Sequence, residues 1–487
     1  MTLALNDPEL LRNALFVGGT WQRPAACDPL DVHNPATGVL LASIPSGRRE
    51  DAIAAVDAAE DALPSWSALP AKERSRLIRR WYDLIVDNVD DLARILTAEQ
   101  GKPIAEARGE ILYGAAFFEW YAEEGKRVYG ETIPAPSSDQ RLLVLRQPIG
   151  VCAAITPWNF PMAMIPRKAA PALAVGCTMV LKPASATPLS ALALAELADR
   201  AGIPAGVFSV VPGAASQVGD ELITNPKVRK LSFTGSTKVG SMLMAKAADT
   251  VKKLSLELGG NAPLLIFDDA DIETAVAGTI ASKFRNMGQT CVCANRIYAQ
   301  SGIYDNYVRA LGEAVSKLQV GNGADEGVDQ GPLIDEAAVQ KTEEHLQDAV
   351  GQGARVVVGG SRHELGGSFF KPTVLADAAP GMKVAKEETF GPLAPIFRFD
   401  TEDEAIQYAN DTEFGLASYL FTRDNARIWR VSERLEYGIV GVNTGIFSYE
   451  GAPFGGWKSS GTGREGSHLG IEDYLEVKYV CIAGITR

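Results

Sequence analysis

The chain is 487 residues long, with 46% hydrophobic and 22% charged residues, a balance typical of globular proteins with two or three domains rather than of disordered ones. Its formal net charge of −13 argues against binding to nucleic acid. Six cysteines are too sparse for a disulfide scaffold and the four histidines are isolated, so we expect no metal site and a carboxylate rather than a histidine as any catalytic base.

The N-terminal segment, residues 1–13, has Asp7 and Glu9 where a signal peptide needs a cationic start and an apolar run. The longest apolar-looking stretch, residues 161–180, carries Arg167 and Lys168 near its start. A membrane-spanning helix of about 20 residues does not tolerate such charges without a special reason. We therefore expect a cytoplasmic protein without a membrane partner.

The first third of the chain has a helical hydrophobic period. Apolar residues recur there at three- and four-residue steps, at Leu77, Ile78, Trp81, Leu84, Ile85, Leu92 and Ile95. Residues 128–147 follow, where two prolines precede an alternating stretch. That pattern predicts a projecting hairpin.

From residue 150 to about 258, short apolar runs alternate with helix-like segments. The runs 151–156, 178–181, 207–211, 230–233 and 251–256 are predicted strands, and the segments 162–175, 189–201, 215–223 and 238–247 are predicted helices. Strands that alternate with helices of this length indicate a parallel sheet with right-handed crossovers, as in nucleotide-binding domains.

A second α/β series runs from residue 264 to about 441, with predicted strands at 264–267, 297–299, 355–358, 393–398 and 418–421. Beyond it, the tail 474–482 alternates like a single strand without a sheet of its own. We expect such a strand to pair with another chain, here a second subunit.

A literal G-x-G-x-x-G motif occurs at Gly461, Gly463 and Gly466. No predicted strand precedes it and no βαβ unit follows, so we interpret it as a loop and not as a dinucleotide site. A better candidate is the segment 233–237, which follows a strand and opens a helix. There Gly235 allows close backbone approach, and Ser236 can cap the helix while its amides face a phosphate.

That segment could also be a plain helix cap. Lys182, at a strand end where open α/β sheets bind ligands, is a second candidate for the cofactor site. A surface lysine would have the same sequence signature. The residues therefore leave both alternatives open.

Cys291 lies in a polar, glycine-containing turn, residues 286–293, rather than in an apolar core run. Most free cysteines are buried and inert. What distinguishes Cys291 is its combination with Glu257, at the end of an apolar strand before two glycines, and with the segment 157–161. Burial of Glu257 would raise its pKa towards that of a general base, whereas a solvated strand end would leave it an ordinary carboxylate.

Six short motifs stand in a fixed order along the chain: Pro157-Trp-Asn-Phe-Pro161, Phe233-Thr-Gly-Ser236, Glu257-Leu-Gly-Gly260, Gly288-Gln-Thr-Cys291, Glu387-Glu-Thr-Phe-Gly-Pro392 and Pro453-Phe-Gly-Gly456. Together they closely resemble the aldehyde dehydrogenase superfamily, over nearly the whole chain. Three longer strings are similar to its succinate-semialdehyde branch in particular: Ser282-Lys-Phe-Arg-Asn286, Cys291-Val-Cys293 and Gly466-Ser-His-Leu-Gly-Ile-Glu-Asp-Tyr474.

The resemblance implies a mechanism that agrees with the residues. Cys291 would attack the aldehyde carbon, and Asn159 with the Cys291 amide would stabilise the oxyanion of the thiohemiacetal. After hydride transfer to the nicotinamide, Glu257 would activate water to hydrolyse the thioester. Because an aldehyde has no leaving group, covalent capture is what produces a tetrahedral carbon able to expel hydride.

The resemblance also implies the cofactor site. Glu388 and Phe390 would hold the nicotinamide ribose, and Trp158, Lys182 and Ser236 would line the adenosine and phosphate side. The remaining cofactor-binding positions implied are Thr156, Pro157, Ala184, Ser185, Gly213, Phe233, Thr234, Gly235, Val239 and Leu258.

One position departs from the pattern of NAD-preferring members, which carry an acid three residues after the lysine of the Lys-Pro stretch. Here Ser185 stands there, three residues after Lys182, where a carboxylate would repel a 2′-phosphate. We predict that NADP is preferred and that NAD can also be used. The alternative is that the serine merely relaxes the choice.

For the substrate, the resemblance implies a carboxylate held by Arg167 and Arg285 with help from Ser448. Two arginines and a hydroxyl suit an anionic semialdehyde and supply the positive charge that the acidic chain otherwise lacks. Succinate semialdehyde, as in 4-aminobutyrate degradation, is the first choice and glutarate semialdehyde the second. Cys293 is either a small packing residue or a redox partner that forms a reversible disulfide with Cys291.

The sequence thus predicts an aldehyde dehydrogenase-like α/β protein that forms a homodimer or homotetramer. A Rossmann-type cofactor domain would comprise residues 1–126 and 148–257, a second α/β catalytic domain residues 258–455, and a small β oligomerisation arm residues 127–147 and 456–487. Three alternatives remain: another aldehyde dehydrogenase of broader or different specificity, a cofactor-independent thiol esterase, and a non-catalytic protein of the same fold.

Overall fold

The computed structural model describes residues 3–24 and 28–485. The predicted helical period in the first third is confirmed, since Ile78, Trp81 and Ile85 are fully buried along one helix. The elements of this part are β1 (Leu15–Val17), β2 (Thr20–Gln22), β3 (Pro29–His33), β4 (Leu40–Pro45), α1 (Arg49–Ala68), α2 (Ala71–Asp87), α3 (Val89–Gln100), α4 (Ile104–Glu124), β5 (Glu131–Ile133) and β6 (Arg141–Pro148).

The first predicted α/β series is confirmed. Alternate residues of its first strand enter two different clusters, with Val151 and Ala153 in one and Cys152 and Ala154 in the other, so the sheet is buried on both faces. Its elements are β7 (Val151–Ile155), α5 (Pro166–Val175), β8 (Thr178–Lys182), α6 (Leu189–Ala201), β9 (Phe208–Val210), α7 (Asp220–Thr224), β10 (Val228–Thr234), α8 (Thr237–Ala247) and β11 (Lys253–Glu257).

The second series extends to residue 442. It comprises β12 (Ala262–Ile266), α9 (Ile272–Lys283), β13 (Ala294–Gln300), α10 (Tyr304–Val315), α11 (Glu336–Gly351), β14 (Arg355–Val358), β15 (Thr373–Ala376), α12 (Lys383–Lys386), β16 (Leu393–Phe399), α13 (Glu402–Asn410), β17 (Phe414–Gly415), β18 (Ala417–Phe421), α14 (Asn425–Arg434) and β19 (Ile439–Val442). The last three strands are β20 (Trp457–Lys458), β21 (Gly461–Thr462) and β22 (Leu475–Ile482).

Two large sheets organise the molecule. The first has the order β2-β1-β9-β8-β7-β10-β11-β21, and the second the order β14-β15-β16-β13-β12-β18-β19. The strands β9, β8, β7, β10 and β11 are parallel, and the order reverses direction between β7 and β10. Such a switch point is where open α/β sheets bind ligands, and the chain crosses from one sheet to the other just after β11.

The predicted hairpin forms, but the expectation that the tail strand needs a second subunit is wrong. β22 pairs antiparallel with β6 along the whole length of both strands, from Leu475 opposite Pro148 to Ile482 opposite Arg141. The three-stranded sheet has the order β22-β6-β5. The tail therefore completes the hairpin of its own chain.

Several predicted boundaries differ from the structure. The helix predicted from residue 162 begins at Pro166, and the amides of Met162 and Ala163 in the turn before it donate to the Glu110 carboxylate. The helix predicted at 215–223 is a π-helical turn over Ala215–Gly219 followed by α7. The strand predicted from residue 251 begins at Lys253, since Val251 has a φ of +50° and ends a turn. Strands β15 and β19, each four residues long, were not predicted.

No helix in residues 3–24 and 28–485 combines the length and the apolar character required to cross a membrane.

Candidate active site

A cavity of about 430 Å³ lies between the two large sheets. It brings together most of the predicted site residues from both halves of the chain. Those that line it are Pro157, Trp158, Asn159, Arg167, Thr234, Gly235, Ser236, Leu258, Arg285, Cys291, Glu388, Phe390 and Ser448.

A second group of predicted residues lies beside this cavity rather than in its wall. The Thr156 amide donates to the Lys182 carbonyl at 3.1 Å, and the Ser185 hydroxyl lies 3.5 Å from the Gly213 carbonyl. Because β7, β8 and β10 are parallel, their carboxyl ends share one edge of the sheet with Thr234. An extended ligand along this edge could therefore contact both the residues of the cavity wall and those of this second group. Ala184, Phe233, Val239 and Glu257 are likewise not in the cavity wall.

Cys291 is held in the cavity by a strained turn. Asn286 and Met287 have φ values of +50° and +55°, and Gly288 adopts +75° where an added Cβ would lie 2.2 Å from the Gly391 carbonyl oxygen. Only glycine fits at that point. The left-handed residues direct the chain so that the partly exposed Cys291 thiol faces the cavity.

The environment of the thiol disfavours its anion. Burial first, and then the carboxylates of Glu388 and Glu257, raise the pKa of Cys291 to about 12, against smaller opposing effects of Arg167 and Arg285. The thiolate is the nucleophilic form of cysteine. The proton of Cys291 must therefore be taken up by another group before the sulfur can attack a substrate.

Asn159 follows β7 and shares the cavity with Cys291. Its Nδ2 donates to the Gln289 carbonyl at 2.9 Å, which uses one of the two N–H groups of the amide. The second N–H remains available to an oxyanion formed at the substrate. This geometry agrees with the oxyanion-stabilising role that the sequence predicts.

Glu257 ends β11, where it pairs with Thr234 on one side and Gly461 on the other. The side chain is 3% exposed, and its Oε2 has no hydrogen-bond partner among the described residues. Burial first, and then the nearby Glu465, raise the pKa of Glu257 well above the usual carboxyl range. The predicted burial of this carboxyl group is therefore confirmed, and a group of this kind suits a general base.

The segment with the G-x-G-x-x-G pattern has a structural role. Gly461 lies against β11 at the edge of the first sheet, and Glu465 is buried beneath the cavity. Glu465 accepts from Lys168 at 2.5 Å and forms an ion pair with Arg167 at 2.9 Å. The interpretation as a loop is therefore only partly correct, because Gly461 and Thr462 form β21, while no βαβ unit follows the motif in the described residues.

The two predicted substrate arginines differ in their surroundings. Arg167 is paired with Glu465 and stacks over the Phe454 ring at 4.0 Å. Arg285 lies over the Phe160 ring at 5.5 Å, its buried Nε has no acceptor within the described part of the chain, and no ion pair involves it there. Arg285 is therefore the guanidinium with the greater unused capacity for an anionic ligand.

The side of the cavity that is predicted to take the cofactor carries aromatic and polar groups. Trp158 and Phe390 meet edge to face with centroids 5.6 Å apart. Glu388 accepts from the Gly260 amide at 3.0 Å, and burial raises its pKa to about 7. Ser236 caps α8 by accepting from the Val239 amide at 3.4 Å, as predicted.

Several cavity residues were missed by the sequence reasoning. Lys341 donates to the Glu388 carbonyl at 2.6 Å, and Tyr113 faces the cavity from α4. Both stand on helices without a local motif, so no short-range signal could identify them. Phe160 and Phe454 lie inside quoted motifs, but no role was assigned to them.

Cys293 is buried, and its thiol donates to the Lys283 carbonyl at 3.4 Å. Cys291 and Cys293 are both free thiols in this structure. A reversible disulfide between them stays a prediction.

Comparison with known proteins agrees with this arrangement. A sequence model described as the aldehyde dehydrogenase family matches residues 21–480. The chain is 62% identical over 480 residues to the NADP(+) succinate-semialdehyde dehydrogenase GabD of Escherichia coli, covering 99% of this chain and 100% of that protein. It is 61% identical over 483 residues to a glutarate-semialdehyde dehydrogenase of Pseudomonas aeruginosa, with 99% and 100% covered. A crystal structure of an E. coli NADP-dependent enzyme superposes with a TM-score of 0.98 at 62% identity, covering 99% of this chain and 100% of that one.

Proposed function

The chain belongs to the aldehyde dehydrogenase family, and we propose on that premise that it oxidises succinate semialdehyde to succinate with reduction of NADP, as one step of 4-aminobutyrate degradation. The observation that carries the proposal is the single cavity shared by the Cys291 thiol, the Asn159 amide and the Arg285 guanidinium. A nucleophile, an oxyanion donor and an anion ligand in one cavity are what this substrate requires.

The residues present fit a nicotinamide cofactor. The capped N-terminus of α8 offers free amides to a phosphate, and Glu388 offers a carboxylate oxygen to ribose hydroxyls. Position 235 has no room for a side chain, because an added Cβ would lie 2.4 Å from the Phe233 ring. The glycine backbone there is therefore open to close approach by a ligand. When bound, the nicotinamide supplies the acceptor for the hydride.

In the reaction that follows from this geometry, the Cys291 thiol gives up its proton to solvent water, and its sulfur bonds to the aldehyde carbon. The carbonyl oxygen becomes an oxyanion, which the Asn159 amide stabilises. Loss of hydride leaves a thioester on the sulfur. Glu257 lies outside the cavity wall but close enough to Cys291 for its carboxylate to raise the pKa of the thiol. This buried carboxylate then removes a proton from water, which attacks the thioester, expels the Cys291 sulfur and releases the acid.

The substrate carboxylate is assigned to Arg285, with Arg167 and Ser448 in the same wall. We expect Arg285→Ala to raise KM for succinate semialdehyde and to lower kcat/KM by about 10- to 100-fold, because a charged hydrogen bond contributes about 1.5–3 kcal/mol. Steady-state kinetics measure both parameters. Butanal, which has the same chain length without the carboxylate, is the control and should be little affected. An unchanged KM for succinate semialdehyde would contradict the assignment.

Glutarate semialdehyde is the alternative substrate. It differs by one methylene, and a pocket discriminates one methylene by about 1–3 kcal/mol. The relative in P. aeruginosa is named for that substrate. Both semialdehydes present the same carboxylate to the arginines, so both should be turned over at different rates.

The preference for NADP is assigned to Ser185, which lies beside Lys182 at the edge of the first sheet. We expect Ser185→Asp to reduce the ratio of kcat/KM for NADP to that for NAD by about 100-fold, because a carboxylate there would repel the 2′-phosphate. Kinetics at 340 nm with both cofactors test this. Ser185→Asn has nearly the same shape without the charge and serves as the matched control. A wild-type ratio in favour of NAD would refute the assignment.

We also infer that the protein forms a homo-oligomer through the sheet β22-β6-β5. This sheet carries five exposed apolar side chains, with Ile133, Val477 and Tyr479 on one face and Leu145 and Ile482 on the other. An exposed apolar surface rimmed by polar residues indicates a contact with another protein. The edges of β22 and β5 could also extend by strand pairing.

A further inference from the structure

A buried ion pair outside the cavity wall contacts the backbone of the oxyanion donor. Lys102 is 1% exposed and follows Gly101, whose φ of +97° ends α3. Its Nζ donates to the Asn159 carbonyl at 2.8 Å and to the Glu110 carboxylate at 2.5 Å. A fully buried lysine thus donates a charged hydrogen bond to the main chain of Asn159.

Glu110, the ion-pair partner of Lys102, binds the same segment a few residues further along. Glu110 lies on α4, and its Oε1 accepts from the amides of Met162 at 3.0 Å and Ala163 at 3.1 Å. The ion pair therefore holds a carbonyl at one end of the segment 159–163 and two amides at the other. Both ends of this segment are thus fixed by the same ion pair.

The Asn159 carbonyl has a second donor on the side of the nucleophile turn. Asn286 donates through Nδ2 to the Asn159 carbonyl at 2.9 Å and to the Gln289 carbonyl at 3.2 Å. Asn159 itself donates to the same Gln289 carbonyl. The peptide group and the side chain of Asn159 are thus fixed against the turn that carries Cys291.

We propose that Lys102 and Glu110 are positioning residues that hold the Asn159 amide where the oxyanion forms. The proposal rests on the function proposed above, in which Asn159 stabilises that oxyanion. A buried ion pair is weak evidence for stability, since an uncharged pair of similar volume often serves as well. The role that we assign to this ion pair is to fix the position of Asn159, because a displacement of a catalytic group by about 1 Å can lower the rate about 100-fold.

The test removes both charges together, because Lys102→Met alone would leave Glu110 buried without its counter-ion. In the double variant Lys102→Met/Glu110→Gln, the amide oxygen can still accept from Met162 and Ala163. With succinate semialdehyde and NADP at saturation, we expect the rate of NADPH formation in the first turnover to fall about 100-fold. The dissociation constant for NADP should stay within about twofold of the wild type.

A second set of variants separates this proposal from the function on which it rests. Asn159→Ala should show a comparable loss of first-turnover rate. Adding Lys102→Met/Glu110→Gln to it should lower the rate little further, since both changes remove the same stabilisation of the oxyanion. If Asn159→Ala has no effect, the proposed function is wrong. If Asn159→Ala is impaired and the double variant is not, only the positioning role is wrong.

Lys252 provides a matched control. It is also a buried lysine, and it donates to two backbone carbonyls, of Asn225 at 2.8 Å and Val228 at 2.9 Å. None of these three residues lines the cavity. Lys252→Met should lower thermal stability and leave first-turnover kinetics unchanged. Should the neutral pair fail to fold, Lys102→Arg keeps the charge but moves the donor, and the same kinetic loss is expected. A folded variant of either kind with the wild-type first-turnover rate overturns the proposal.

Discussion

Cys291→Ser is expected to lower kcat by about 10⁴-fold or more, with cofactor binding retained. The serine hydroxyl is a far weaker acid than a thiol and has no adjacent histidine to activate it, so capture of the aldehyde carbon should nearly cease. The measurement is NADPH formation at 340 nm, together with fluorescence titration of NADP to show an intact cofactor site.

The neighbouring thiol supplies the control for this experiment. Cys293 is buried and directed at the Lys283 carbonyl rather than at the cavity. Cys293→Ser should therefore keep most of the activity. Turnover by Cys291→Ser at a rate near that of the wild type would show that the sulfur is not the nucleophile, and the mechanism would have to be abandoned.

Glu257→Gln is expected to change the kinetics in a different way. Aldehyde capture and hydride loss need no base at this position, so one NADPH per active site should form in a burst. The steady-state rate that follows should be lower by about 10²- to 10⁴-fold, the usual contribution of a general base. Mass spectrometry of the stopped reaction should find the acyl group on Cys291.

The pH dependence gives an independent test of the same residue. Burial raises the pKa of Glu257 well above the usual carboxyl range, and only the ionised form can accept a proton from water. Thioester hydrolysis by the wild-type enzyme should therefore fall as the pH decreases through that raised pKa, and Glu257→Gln should lack this limb. Single-turnover deacylation rates across the pH range measure it.

Glu99 is the matched control for Glu257. Burial raises the pKa of this carboxyl group to about 7, yet it lies away from the cavity and accepts from the Leu189 and Ser190 amides at the start of α6. Glu99→Gln should leave the steady-state rate unchanged, and no initial burst of NADPH should precede it. If Glu257→Gln behaves in the same way as Glu99→Gln, the general-base assignment is incorrect.

Local sequence signals were sufficient for most of the first sheet and for the nucleophile turn. The helix predicted at 189–201 has the same limits in the structure, because small and apolar residues fill it between a proline and a left-handed glycine. The motif residues Cys291, Asn159 and Arg285 meet in one cavity, and each lies in a turn next to the end of a strand or helix. Short motifs describe such turns well.

Long-range partners could not be predicted. The turn before α5 is bound by Glu110, which lies more than 50 residues earlier in the chain. Lys102 and Lys341 likewise act through contacts with distant backbone, at Asn159 and Glu388. Hydrophobic period and turn chemistry do not predict which distant carbonyl accepts a hydrogen bond from a buried lysine. The contacts of these residues could therefore be identified only from the tertiary structure.

The pairing of β22 with β6 has a consequence for biosynthesis. Arg146 and Glu472, joined by an ion pair beside this sheet, are 326 positions apart. During translation, the β6 edge therefore stays open until residues 475–482 have left the ribosome, and a product terminated before residue 475 would keep that edge exposed to aggregation. Assembly through this sheet would thus select for chains whose synthesis has passed β22.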